Sequence, residues 1–121
     1  MKKKGTFRLY SKMENVGYLE DSDFDGAHLT ITGTVYVMIQ ANFCGACSAQ
    51  KPDYQKFANR MRGRKGVMVC SISGDTFDTS GQKKLYDQIH SIFPDHAYYP
   101  EYYMFKDGVL HEQLDLSQII E

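Results

Sequence analysis

A chain of 121 residues with a net charge of −1, 42% hydrophobic and 24% charged residues, has the composition expected of one soluble globular domain with a core of its own. The balanced charge supplies no global field for nucleic acid or an anionic membrane, and no stretch approaches the ~18 apolar residues of a membrane span. Three cysteines are too few for a disulfide framework, so the expected setting is reducing and cytoplasmic, where a C-x-x-C pair is reactive rather than structural.

The chain opens on the basic run Met1-Lys2-Lys3-Lys4, but Gly5 to Tyr10 lacks the apolar centre of a signal peptide. Residues 1–14 are expected to form a solvated basic extension, with Thr6 to Tyr10 as a short strand, and residues 15–121 the folded domain. Val16 to Leu19 predicts a strand. Asp21-Ser22-Asp23-Phe24-Asp25 offers N-cap residues and first-turn acids for a short helix reaching Leu29. Val35 to Ile39, an almost unbroken apolar run, predicts a strand buried on both faces. Tyr54, Phe57, Ala58 and Met61 then recur at helical spacing behind Cys47. Pro52 removes a hydrogen bond inside that helix, and Arg60 to Gly66 ends it with cations and glycines. Val67 to Ile72 is a further strand. Leu85, Ile89, Ile92 and Phe93 mark a second helix that Pro94 stops. Tyr102 to Phe105 and Val109 to Gln113 form a hairpin around Lys106-Asp107-Gly108, and a short helix closes the chain. The order β-α-β-α-β-α-β-β-α predicts an α/β fold with a mixed sheet between helices on both faces.

Cys44-Gly45-Ala46-Cys47 lies where the central strand hands over to a helix N-terminus. Unpaired N–H groups and the positive end of the helix dipole stabilise an anion there, and only a thiolate attacks a disulfide. An ordinary thiol of pKa about 8.5 is a few per cent ionised at neutral pH, whereas one shifted to about 7 is roughly half ionised. The pair therefore predicts a dithiol redox site. A structural metal would need about four ligands; there is no second C-x-x-C, and His28, His90, His96 and His111 are scattered, so no metal site is expected. Cys70, mid-strand, is expected to be a small buried hydrophobe, and His90 to face solvent. Tyr98 and Tyr99 are candidates for the border of a substrate groove. Tyr102 and Tyr103, adjacent on a strand, point to opposite faces, so at least one of them is packing.

From about Val16 onward the chain resembles the thioredoxin family. Asp21 to Asp25 is similar to the acid-and-Phe opening of that family's first helix, Asn42-Phe43-Cys44-Gly45-Ala46-Cys47 to its active site, and Pro52 to the proline of its active-site helix. Tyr99-Pro100 before Tyr102 to Gly108 resembles its cis-proline, hydrophobic strand and Lys-x-Gly turn. The resemblance implies a thioredoxin fold and a thiol–disulfide oxidoreductase. Cys44 would be the exposed attacking cysteine and Cys47 the shielded resolving one. Pro100 would be the cis-proline that positions a substrate backbone, with Phe43, Gly45, Ala46 and Tyr99 also contacting substrate.

The chain departs from the family at four positions. Phe43 replaces the tryptophan before the first cysteine, Gln40 a second tryptophan, Ala46 a proline that favours a strongly reducing potential, and Met38 a buried aspartate of the central strand. Implied substrates are protein disulfides or dithiols, recycled by a thiol reductant or oxidase. No cofactor, nucleic acid or membrane is required, and the protein is expected to be monomeric. The loss of the buried acid keeps open a binding or adaptor module on the same fold, with Asp75 a conceivable substitute for the acid. A glutaredoxin-like, glutathione-linked reductase is a further alternative, disfavoured because Lys106-Asp107-Gly108 lacks that family's Gly-Gly pair.

Overall fold

Successive side chains on a strand point to opposite faces of a sheet, so the apolar runs decide which surface each helix covers. The computed structural model describes residues 8–120. In chain order it builds β1 (Gly17–Tyr18), a 3₁₀ turn (Asp21–Asp23), β2 (Phe24–Asp25), β3 (His28–Leu29), β4 (Thr34–Gln40), α1 (Gly45–Met61), β5 (Val67–Ser73), α2 (Ser80–Asp87), α3 (Ile89–Ile92), β6 (Glu101–Lys106), β7 (Val109–Leu114) and α4 (Leu116–Ile120). The five-stranded sheet has the order β1-β5-β4-β6-β7. β4 is parallel to β5 and antiparallel to β6, which makes the sheet mixed, as expected.

Val35, Val37 and Ile39 of β4 join Cys70, Ile72, Tyr103 and Phe105 in a core closed by Leu85 of α2, Ile89 and Ile92 of α3, and Phe93. Met38, in the alternate register, faces the opposite core with Val69, Tyr102, and Tyr54, Phe57 and Ala58 of α1. Helices thus cover both faces. The buried stripe of α1 is the one that the helical spacing predicts, and the helix continues through Pro52 as one element. The hydroxyl of Tyr54 ties it down by donating to the Cys70 carbonyl at 2.7 Å. The single helix expected around Leu85 to Phe93 is divided at Gln88, which ends α2 and precedes α3.

Two expectations are corrected. The helix predicted from Asp21 to Leu29 is a single 3₁₀ turn followed by the β2–β3 hairpin. Asp25 pairs with His28, so the two loop residues are Gly26 and Ala27. Glycine at the first loop position is a hairpin-turn signal, and Gly26 takes a φ of +61° that L side chains rarely adopt. That turn outweighs the acidic first-turn residues. The second correction concerns the boundary at residue 14. Residues 1–7, which carry most of the basic run and the start of the expected Thr6–Tyr10 strand, lie outside the described residues. Residues 8–14 belong to the domain: Tyr10 and Met13 are buried in the α1-side core, and Leu9 makes a lone antiparallel bridge to Gly17. Gln40, fully buried, donates through Nε2 to the Tyr10 hydroxyl at 2.7 Å. Arg8 makes an ion pair with the buried Asp23 and lies 3.9 Å from Glu20. Glu20 accepts the Thr79 hydroxyl at 2.6 Å, so the segment also reaches the start of α2.

Candidate functional site

β4 ends at Gln40, and the chain turns through Ala41 to Phe43 into α1. Cys44 is the N-cap of that helix in extended conformation, with φ −90° and ψ 113°, and its Sγ accepts the Cys47 N–H at 3.0 Å. This places a sulfur where the first turn offers unpaired donors and the positive end of the helix dipole. Cys44 is half-buried, whereas Cys47 is fully buried on the inner side of the same turn. Gly45 and Ala46 between them are exposed, so the approach to Cys44 is open on that side.

The turn is braced from the next loop. Asp75, just after β5, accepts the Asn42 N–H at 3.0 Å and the Phe43 N–H at 3.2 Å. Partial burial pushes the Asp75 carboxyl up, but these bonds, with others from Ser73 and Thr76, bring it below the usual carboxylate value. Its observed role is therefore to hold the loop before Cys44. A carboxyl kept ionised by its neighbours is a poor proton acceptor, which weighs against the substitute base conceived from the sequence.

The opposite wall comes from the segment before β6. The Tyr99–Pro100 peptide is cis. The Cys44 thiol donates to the Tyr99 carbonyl at 3.5 Å, so this segment and the cysteine pair meet. The Phe43 and Tyr99 rings stand edge to face, with centroids 5.6 Å apart. Phe43, directly before Cys44, is exposed, as is Tyr98 beside Tyr99 in the chain. Gly74 leaves room for the Tyr99 hydroxyl, which a Cβ there would strike. Of the tyrosines considered for the groove, Tyr102 and Tyr103 are both buried, one in each core. Both are packing.

The electrostatics separate the three thiols. Burial, then the hydrogen bond and charge of Cys44, push the Cys47 thiol up to about 11, against smaller opposing effects from the Ala41 backbone and Lys51. Burial first, and then the nearby Asp23 charge, drive the Cys70 thiol far up, with Arg8 opposing them, and Cys70 sits in the α2-side core, away from the face that Cys47 occupies. Among the described residues no cluster of three or more potential metal ligands occurs, and no helix is long and apolar enough to cross a membrane.

Limited alkylation with iodoacetamide near neutral pH should modify Cys44 before either other thiol. Cys47, with its thiol pushed up to about 11, is roughly 10⁻⁴ ionised under those conditions. Peptide mapping reads the three rates, and equal rates would remove Cys44 as the accessible nucleophile.

One group of residues here has no counterpart in the sequence-based reading. His96 and Glu101, both buried, pair at 2.6 Å beneath the Tyr99–Pro100 segment. The available signal was a glutamate directly after a proline, at the start of a strand otherwise apolar enough to be buried. Asp75 and Tyr10 gave no such signal, because each acts on a partner more than twenty residues away in sequence.

No family model matches the chain. A curated relative from Invertebrate iridescent virus 6, 453L, whose name describes it as thioredoxin-like, is 31% identical, with the match spanning 77% of this chain and 77% of the relative. Among solved structures, the chain is similar to the Trx4 domain of ERdj5 (TM-score 0.61, 18% identity, 87% of this chain and 89% of that chain). It is also similar to the first thioredoxin domain of mouse protein disulfide-isomerase A4 (TM-score 0.59, 24% identity, 86% of this chain and 67% of that chain).

Proposed function

This chain belongs to the thioredoxin-like proteins and has the thioredoxin fold, and on that premise we propose that it is a thiol–disulfide oxidoreductase acting on protein substrates through Cys44 and Cys47. The observation that carries the reading is the asymmetry of the pair: a half-buried Cys44 capping α1 beside the cis Tyr99–Pro100 peptide, with Cys47 shielded behind it. In the reducing direction the Cys44 thiolate attacks one sulfur of a substrate disulfide. That S–S bond breaks, the other substrate sulfur leaves as a thiolate and takes up a proton, and a mixed disulfide with Cys44 remains. Cys47, once deprotonated, attacks the Cys44 sulfur and displaces the second substrate thiolate. Two electrons pass from the dithiol to the substrate, and the protein is left with a Cys44–Cys47 disulfide that a thiol reductant must reopen. The same steps in reverse make it an oxidant. Phe43, Gly45, Ala46, Tyr99 and Pro100 form the surface on which the substrate segment rests.

Reduction of insulin by the dithiothreitol-reduced protein tests the proposal. The wild type should precipitate the insulin B chain well above the reductant background, and Cys44→Ser should return the rate to that background. Equilibration with glutathione then gives the potential of the pair and the favoured direction. A second reading, a peptide-binding adaptor of weak redox activity, is favoured by one feature: Met38 places a thioether on the buried α1 face where the family carries an acid. A wild type no better than Cys44→Ser in the insulin assay would select it.

A further inference from the structure

We propose that His96 and Glu101 are positioning residues of the exchange site: a buried imidazole–carboxylate clamp that sets the Tyr99 carbonyl and Pro100 against Cys44 and so determines how well a polypeptide disulfide is presented to it. The proposal rests on the oxidoreductase reading above.

Glu101 is the first residue of β6, immediately after Pro100, and its side chain turns back under the segment that leads into the strand. Its Oε1 accepts from His96 Nδ1 at 2.6 Å and from the Tyr103 hydroxyl at 2.9 Å. Its Oε2 accepts the Ala97 and Tyr98 N–H groups, each at 3.2 Å. A buried carboxylate is costly unless its lone pairs are filled. Here they are filled by the His96 side chain, by the Tyr103 hydroxyl from within β6 and by two backbone donors of the segment. Burial pushes the carboxyl up, but the bonds from His96, Ala97 and Tyr103 outweigh it and leave the group below its ordinary value. Any displacement of residues 96–100 therefore strips donors from an ionised buried group.

The imidazole makes a second connection to the same tyrosine. Its Nε2 lies 3.5 Å from the Tyr86 hydroxyl, which in turn is hydrogen-bonded to the Tyr99 hydroxyl. The His96 and Tyr99 rings meet edge to face at 5.2 Å. The His96 carbonyl is bonded to His90 Nε2 at 3.0 Å, and its N–H donates to the Phe93 carbonyl at 3.0 Å. Both connections end on Tyr99, one through its backbone neighbours and one through its side chain. Tyr99 is the residue whose carbonyl touches the Cys44 sulfur.

A clamp confined to packing would affect every reaction of the protein alike. A clamp that presents the substrate backbone affects large substrates and spares small ones, because a small disulfide needs only the sulfur. The test is the second-order rate of Cys44 attack on insulin compared with 5,5′-dithiobis(2-nitrobenzoate), for wild type, His96→Phe and Glu101→Gln. A misplacement of about 1 Å at a reacting centre costs on the order of 10²-fold. His96→Phe is expected to lower the insulin rate by about ten- to a hundredfold while leaving the small-disulfide rate and Cys44 alkylation unchanged. Glu101→Gln keeps one acceptor oxygen but loses the charge and the other acceptor, and should lower the insulin rate in the same selective way, by a few-fold or more. If His96→Phe does not fold, Tyr86→Phe cuts only the connection from the imidazole to Tyr99 and should show the same split at a few-fold. Equal loss on both substrates, or no loss on either, would overturn the clamp. A wild type inert toward both disulfides would overturn the oxidoreductase reading itself.

Discussion

Cys47→Ser should react once with a disulfide substrate and then stop, with multiple turnover lost entirely and a mixed disulfide accumulating in proportion to protein. The first attack belongs to Cys44, whose position at the N-cap of α1 does not depend on the Cys47 side chain, since the bond to its sulfur comes from the Cys47 backbone N–H. A serine hydroxyl does not resolve a disulfide, and it occupies slightly less space in a fully buried site. Cys70 cannot take over the second step, because it is fully buried in the α2-side core, across the sheet from α1. Non-reducing electrophoresis and mass measurement of the adduct check the outcome, and recovery of the adduct from cells would name the partner. Turnover persisting in this variant would show that Cys47 does not resolve the intermediate.

The second large effect concerns pH. Before Cys47 can attack, it must lose a proton in a buried place, and burial is the main reason its thiol is pushed up to about 11. Forming the mixed disulfide removes the contribution of the Cys44 thiolate but leaves the burial. Below its pKa each pH unit raises the thiolate fraction tenfold, so resolution should quicken about a hundredfold between about pH 7 and about pH 9. Met38 can neither accept nor relay the proton. Met38→Asp supplies an acceptor on the α1 face, beside Ser71 and Tyr102 in the neighbouring strands. Among the described residues Ser71 Oγ has no hydrogen-bond partner, and it can donate to the new carboxyl. The variant should resolve faster near neutral pH and with a flatter pH profile, at a cost of about 3 kcal/mol in stability from lost apolar burial and a buried carboxyl. The sign of that cost follows from linkage: burial raises the introduced carboxyl's folded-state pKa above its unfolded value of about 3.9. The folded state then binds more protons between the two values. The charge-related share of the cost is therefore absent at low pH and grows as pH rises toward the folded pKa. Urea unfolding at about pH 4 and about pH 7 measures it. A variant no faster than wild type, with a wild-type rate flat in pH, would show that deprotonation of Cys47 does not limit the step.

The parts of the molecule legible in the sequence are those whose cause is local or periodic. The run Val35 to Ile39, the stripe Tyr54-Phe57-Ala58 and the turn Asp107-Gly108, with both residues at positive φ, each carry their structure in their spacing. The cysteines were placed by being adjacent to the first two of these. The Asp21–Leu29 helix does not form because Gly26, at the first position of a two-residue hairpin loop, is a turn signal equally local to the capping signals and stronger. The remainder was hidden for a different reason. Tyr10 is buried because Gln40 receives it, and Asp75 is fixed by two amides of the Cys44 loop. His96 and Glu101 satisfy one another. A polar residue buried by a specific partner has no periodic signature, and a sequence offers no reason to prefer that partner over water.

The segment bridged to β1 has a bearing on how the protein behaves at high concentration. A sheet whose outermost strand shows free amide and carbonyl groups invites another chain to add to it and is open to edge-to-edge aggregation. Here the Tyr18 N–H donates to the Arg8 carbonyl at 2.8 Å and the Tyr10 N–H to the Val16 carbonyl at 2.7 Å, so the hydrogen bonds an incoming strand would seek at β1 are already made within the chain. The other margin, β7, exposes His111, Glu112 and Gln113 and is thrown out of regular register opposite Met104 and Phe105, and both traits discourage strand addition. The chain therefore satisfies β1 from within itself and presents an irregular, polar border at β7, so neither of these two strands is a ready template for fibril growth.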